Sequence, residues 1–162
     1  MSAPRIAVIL AAGRGTRLRS RLPKVLHEVG GKPLLARPLD LAAAVGCERR
    51  IVVANPESLP ALQAAFPDPT IEWQIQDPPR GTGDALACGL RTVSGNAAVL
   101  VLSGDAPLLA RDTAERLLAH ADSGAGAMAV AWVDHPGSLG RVFAGAHGTL
   151  ERIVEVADAA MY

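Results

Sequence analysis

The chain is poor in aromatics: two Trp, two Phe and one Tyr make up 3% of its 162 residues. Proteins that hold single-stranded nucleic acid by base stacking need a platform of such rings, and this sequence offers none. Neither sign of charge is in excess, with 16 Lys and Arg against 16 Asp and Glu. Duplex-binding domains carry a broad basic footprint, so any anion recognised here is recognised locally. There are only two cysteines, Cys47 and Cys88, far apart and outside any CxxC spacing. A cysteine zinc site and a disulfide scaffold are excluded, and two free thiols of a reducing cytoplasm are favoured over a single disulfide. The four histidines, His27, His120, His135 and His147, form no HxH or HxxxH pair, so they read as structural and no zinc site is expected. No apolar run is long enough to span a bilayer. The apolar start, Ile6 to Ala12, is short for a signal peptide and follows a single arginine, so it reads as a buried strand. A cytoplasmic protein with no nucleic-acid and no membrane partner is the expectation.

What is present is a chain 49% hydrophobic, enough for one domain with a real core. "RIAVIL" (5–10), "RRIVVA" (49–54) and "AAVLVLS" (97–103) are continuous β-prone runs, the pattern of strands buried on both faces. "IEWQIQ" (71–76) alternates and belongs nearer an edge. Helical segments lie between them. "KPLLARPLDLAAAVG" places Pro33 at a first helical position and Gly46 at the stop, with Pro38 inside as a kink or break. "ESLPALQAAF" and "GTGDALACGLRTV" follow. "RDTAERLLAHAD" has Asp112 and Glu115 at capping-box spacing, with Asp112 as the N-cap. After Gly124 the pattern becomes strands: "AMAVAWV", "RVFAG" and "LERIVEV". Alternation of strand and helix predicts an α/β fold, a three-layer, doubly wound, mostly parallel Rossmann-like sheet, with residues 1–162 as one domain.

Ligands of open α/β sheets bind outside the carboxyl ends of the strands, which singles out 11–24, 76–84 and 103–107. The first of these is "LAAGRGTRLRSRLPK" (10–24), with two glycines, five cations and no acid. Small residues let the backbone approach a ligand and aim N–H groups at phosphate, and Arg14, Arg17, Arg19, Arg21 and Lys24 add charge. The glycines do not complete GxGxxG, since Leu18 stands at the third position, and no Walker Gly-Lys-Ser/Thr follows. A solvated basic turn is the plainer alternative for part of it, Arg19 and Arg21 above all.

"LAAGRGTRLRSRLPKVLHEVGGKPLL" (10–35) resembles the signature of the sugar-1-phosphate nucleotidyltransferases. Its "LPKVLHEVGGKP" part is similar to the uridylyltransferase domain of bifunctional N-acetylglucosamine-1-phosphate uridylyltransferases. "QDPPRGTGDALACGL" (76–90), "VLVLSGDAPLL" (99–109), "GRVFAG" (140–145) and "LERIVEV" (150–156) match further blocks of that family.

The resemblance implies transfer of a uridylyl group from UTP to a sugar 1-phosphate, giving a UDP-sugar and pyrophosphate. It assigns Leu10, Ala11, Ala12, Gly13 and Gly15 to the nucleotide, with Gln76, Gly81, Thr82, Ser103 and Gly104. Arg17 goes to the triphosphate and Lys24 to the phosphates at the reacting centre, both as catalytic residues. Gln76 can read a uracil edge with one donor and one acceptor. Asp105 ends a strand beside the triphosphate and would hold Mg²⁺, a hard cation for a hard oxygen ligand. Gly140 and Glu155 match positions that hold the sugar. Pairing of the chain with a second copy, as a homo-oligomer, is left open.

The chain also departs from the family pattern. The family's catalytic domain continues to an Asn-Thr-Gly segment at the sugar and to an asparagine that completes the metal site. Neither has a counterpart here, and no hexapeptide repeat of an acetyltransferase domain occurs. Leu139 stands where the family has an aromatic residue, Asp84 where the best-known members have histidine, and Ala157 where lysine is usual. The nucleotide half is therefore expected to be complete and the acceptor half damaged. Two alternatives remain: a non-catalytic nucleotide-binding module, and a relative with another acceptor, such as a molybdopterin or a polyol phosphate.

Overall fold

A computed structural model describes residues 3–124, 126–137 and 139–155; Ala157 lies outside the described residues. The chain forms two compact units, Met1–Ala127 and Met128–Tyr162.

The first unit opens with β1 (Arg5–Leu10), followed by a short β2 (Glu28–Val29) and β3 (Lys32–Pro33), then α1 (Ala36–Ala44) and β4 (Arg49–Ala54). Next come α2 (Leu59–Ala65), β5 (Ile71–Ile75), α3 (Thr82–Leu90), β6 (Ala98–Ser103) and α4 (Arg111–Asp122). Strands β5, β4, β1 and β6 form a sheet in that order, every neighbouring pair parallel. Parallel strands need crossovers, and helices supply them and cover the faces.

Side chains alternate across the sheet and build two cores. Ala7, Ile9, Val52, Ala54, Leu100 and Leu102 pack with Leu35 and Leu39 of the α1 region, Leu62 of α2 and Leu118 of α4. Ile6, Val8, Ile51 and Val53 pack on the other face with Ala85 and Cys88 of α3. The two free, buried cysteines belong to different cores, Cys47 to the first and Cys88 to the second. Burial pushes the Cys47 thiol up from its ordinary pKa. Helix α3 lies close on the sheet because residue 89 is glycine. A Cβ there would stand 2.5 Å from Val8 Cγ1 and 3.0 Å from Val53 Cγ2.

Several local expectations change. Pro33 sits in β3, paired with Glu28 of β2, and the helix begins at Ala36. Pro38 is the third residue of α1 and neither kinks nor breaks it, because first-turn amides have no intrahelical acceptor to lose. Asp112 does not cap α4. The helix starts at Arg111 after Ala110, without a side-chain cap, and Glu115 instead accepts from Arg111 at 2.7 Å. The run at 97–103 is buried on one face only: Ala98, Leu100 and Leu102 are buried while Val101 is 42% exposed. Among the described residues β6 is an edge strand, as is the alternating β5.

The second unit is a hairpin of β7 (Arg141–Ala144) and β8 (Leu150–Val154), antiparallel, with Arg141 opposite Val154. "AMAVAWV" is not a strand. Residues 127–133 are irregular and exposed, with no ladder to satisfy their backbone among the described residues.

Candidate active site

All four carboxyl ends of the parallel sheet lie along one edge, and the register carries β1 and β6 out together. Leu10 pairs with both Val53 and Ser103. Beyond the strands the ladder continues: Ala11 N–H donates to the Val53 carbonyl at 2.8 Å, and Gly104 N–H to the Leu10 carbonyl at 2.9 Å. The segments after β1, β5 and β6 converge on a cavity of about 220 Å³, lined by Leu10–Gly13, Lys24, Val25, Gln76, Pro79, Gly81, Thr82, Ala85, Ser103 and Asp105. Gly13 and Asp105 thus face one space, as a cleft over the strand ends requires. Of the lining residues only Lys24 and Asp105 are charged.

Lys24 begins a short 3-10 turn, Lys24–Leu26, whose Val25 and Leu26 are buried. These two apolar anchors plant the lysine, and Pro23 precedes it. Lys24 Nζ donates to Asp105 Oδ2, and Ser103 Oγ donates to Asp105 Oδ1 at 2.6 Å. Burial alone would raise the Asp105 pKa, but the bonds from Lys24 and Ser103 outweigh it and hold the carboxyl below its usual range. An ammonium ion on a half-buried carboxylate shows that this position accepts a cation.

Gln76, just past β5, is 2% exposed. Its backbone N–H donates to the Ala54 carbonyl at 2.9 Å, fixing it at the strand end. Gly81 stands at the N-terminus of α3, which has no side-chain cap. The first amides of a helix lack intrahelical acceptors, so this end can serve polar ligand atoms.

Not every site residue inferred from sequence meets in the cleft. Gly15, Arg17 and Gly104 lie outside its lining. Gly15 has a φ of +59°, and a Cβ there would come within 2.8 Å of Lys24 Cβ, so this glycine makes room for the lysine. Arg17 lies on a turn between two left-handed residues, Gly15 and Arg19, and is exposed. Gly104 carries its N–H to Leu10, and a Cβ would lie 2.9 Å from that carbonyl oxygen. It packs the strand end closely. A second cavity shares Ala11, Gly13, Lys24 and Val25 and adds Arg14, Arg21, Asn55 and Glu57. Arg14 is exposed and 3.7 Å from Glu57. Gly140 and Glu155 are neighbours within the second unit, the Glu155 carboxylate lying 3.4 Å from where a Cβ of residue 140 would stand.

Sequence reasoning missed Asn55. It is 5% exposed, donates from Nδ2 to the Ala12 carbonyl at 3.0 Å and accepts from Ser58 N–H at 2.8 Å. It ties the glycine loop to the end of β4. The available signal was an Asn-Pro pair directly after a strand, where a side chain able to replace backbone partners is common. No cluster of three or more His, Cys, Asp or Glu suited to a metal occurs among the described residues, so the candidate metal position rests on one carboxylate. No helix among them is long and apolar enough to cross a membrane.

The profile of the MobA-like NTP transferase domain matches residues 7–159. The chain belongs to that family. It is a nucleotidyltransferase domain, and the cleft just described lies where ligands of open α/β sheets bind. Among curated relatives, the bifunctional protein GlmU of Alkalilimnicola ehrlichii is 42% identical over 152 residues, covering 94% of this chain and 32% of GlmU. The chain spans about a third of the length of the curated relatives it matches. Rv0371c of Mycobacterium tuberculosis has a similar fold, with a TM-score of 0.65 and 23% identity over 76% of this chain and 62% of that one. So has a nucleotidyl transferase of Methanothermobacter, with a TM-score of 0.62 and 23% identity over 72% of this chain and 57% of that one. Rv0371c is also known as a complex with manganese.

Proposed function

We propose that this domain transfers a uridylyl group from UTP to a sugar 1-phosphate, N-acetylglucosamine 1-phosphate in the first instance. The observation that carries this reading is the Lys24–Asp105 pair in a cleft that also holds the 10–13 loop and Gln76. The GlmU relatives support the choice of acceptor.

A phosphate monoester is largely dianionic at pH 7, with a second pKa of about 6, so it attacks without giving up a proton. Its oxygen forms a bond to the α-phosphorus of UTP. The bond from that phosphorus to the bridging oxygen breaks, and pyrophosphate leaves with the electron pair. Nothing in this exchange needs a general base, and the cleft lining contains no histidine. The domain's work is positioning and charge compensation. The 10–13 backbone approaches the triphosphate, with Arg14 and Arg17 as further cations along it. Ser103 orients the Asp105 carboxylate. Lys24 leaves Asp105 for the α-phosphoryl oxygens once the nucleotide is bound, and as a compact point charge it suits a centre whose charge is redistributing.

A divalent cation fits Asp105, because a hard oxygen donor there already holds a positive charge. Mg²⁺ commonly binds through one or two carboxylates plus phosphates and waters. Asp105 would hold it, and when bound it would neutralise part of the triphosphate charge. Gly140 and Glu155 are proposed for the sugar.

The test is titration of the chain with UTP and Mg²⁺, then assay of pyrophosphate release on adding N-acetylglucosamine 1-phosphate. Binding followed by release supports the transfer. Binding without release leaves a nucleotide-binding module, and no binding removes the cleft as a nucleotide site.

A further inference from the structure

Gln76 does not offer a ligand both halves of its amide. Its Nε2 donates to the Gly81 carbonyl at 3.0 Å and to Asp84 Oδ2 at 2.8 Å. The NH₂ of a glutamine has two protons, and both are engaged. Turning the amide over would set Oε1 against two acceptors, the Gly81 carbonyl oxygen and the Asp84 carboxylate. A buried polar atom facing acceptors alone carries its full desolvation penalty, so the amide is held one way round. Oε1 has no donor among the described residues, and Gln76 lines the cavity. The donor-and-acceptor character expected from sequence is therefore reduced to an acceptor.

We propose that Asp84 is the positioning residue that sets base specificity: it holds the Gln76 amide so that Oε1 faces the base, and the site takes a pyrimidine with a ring N–H, uracil or thymine, over cytosine. Uracil and thymine present N3–H between two carbonyls. The uncapped N-terminus of α3 at Gly81 is a donor for one of them. Cytosine presents a bare N3, an acceptor facing an acceptor. Asp84 is half-buried in the first turn of α3, and it touches Gln76 from the helix side.

The inference rests on the cleft being a nucleotide site, and the experiment separates the two. Binding of UTP, CTP and 3-methyluridine triphosphate to the intact chain with Mg²⁺ is measured by calorimetry, which requires no turnover. UTP should bind about 10–100-fold more tightly than either competitor, the range that one unsatisfied polar group produces. Asp84→Asn can donate to Oε1 as well as accept, which lets the amide turn, so the UTP-to-CTP ratio should narrow several-fold. A purely structural role of Asp84 would weaken both nucleotides and leave their ratio unchanged, and that result overturns the proposal. Equal binding of UTP and 3-methyluridine triphosphate by the unaltered chain overturns it without any variant. If no nucleoside triphosphate binds, the nucleotide site itself is refuted and the specificity falls with it.

Discussion

The two units of this chain carry their apolar residues differently. In the first, Ile9, Leu35, Ile51 and Leu62 are fully buried between sheet and helices. In the second, Trp132 is fully exposed, Leu139, Val142, Phe143, Leu150 and Ile153 are each at least 38% exposed, and Val154 is the one buried hydrophobic residue among those described. A side chain can be held to a fraction of an ångström only by neighbours that are themselves packed. That is why the first unit assembles Lys24, Gln76 and Asp105 around one cavity. In the hairpin, Gly140 and Glu155 flank the paired strands β7 and β8.

The largest expected difference is in stability. Leu62→Ala should cost about 2–5 kcal/mol, as core truncations do, whereas Leu150→Ala, in the exposed hairpin, should stay within about 0.5 kcal/mol. Urea denaturation followed by circular dichroism checks both, and equal losses would erase the contrast.

Next is catalysis within the packed unit. Lys24→Ala should lower kcat by roughly 10²–10³, the usual cost of one preorganised charge-stabilising group, and should change UTP affinity much less. Only interactions stronger in the transition state speed the chemical step, and Arg14 and the loop remain to hold the ground state. Arg21→Ala, exposed and without an ion-pair partner among the described residues, should do little. Steady-state kinetics with UTP and N-acetylglucosamine 1-phosphate decide; an Arg21 variant worse than the Lys24 variant would move the reacting centre to the second cavity.

A smaller effect is expected at Asn55. Asn55→Ala leaves the Ala12 carbonyl and the Ser58 amide without their side-chain partner, which should cost about 1–3 kcal/mol of stability. UTP binding should weaken with it, because the glycine loop loses its tie to β4. Normal affinity in a destabilised variant would show that the loop needs no such support.

The smallest is a pH effect between two strands. Arg49 forms a two-pronged pair with Glu72, at 2.7 and 2.6 Å, joining β4 to β5. The Arg49 hydrogen bonds hold the Glu72 carboxyl below its ordinary pKa, against the opposing effect of burial. A depressed folded-state pKa stabilises fully above the unfolded value, about 4.3 for Glu, and the contribution is lost as pH falls through the folded value. Arg49→Gln should therefore lower Tm at pH 7 by more than at pH 3. A Tm difference independent of pH would mean that the pair contributes nothing.

The fold class was legible from 5–10, 49–54 and 71–76 because long β-prone runs between helical segments admit few arrangements. Local starts and stops were less so. The first turn of a helix tolerates Pro38, and the capping-box spacing at Asp112 competes with a start set by packing. The edge position of β6 could not be read from its composition, since a run of valine and leucine looks the same with one face covered as with two. In the candidate site, the strand-end rule singled out the segments 11–24, 76–84 and 103–107, and the individual residues within them were assigned by the family resemblance. Asn55 and the hold of Asp84 on Gln76 did not.

The sequence by itself determined the alternation of strands and helices, the strand ends at which ligands of open α/β sheets bind and the chemical types carried there. Those follow from side-chain periodicity and from what glycine, lysine and aspartate can do. Only the tertiary structure decided which of them share a space. It joined Lys24 to Asp105 across 81 positions, left Arg17 outside the cleft lining, and turned Gln76 into an acceptor by setting Asp84 against its amide. A hydrogen-bond partner is a matter of distance and direction, and these exist only once the parallel strands have brought their carboxyl ends side by side.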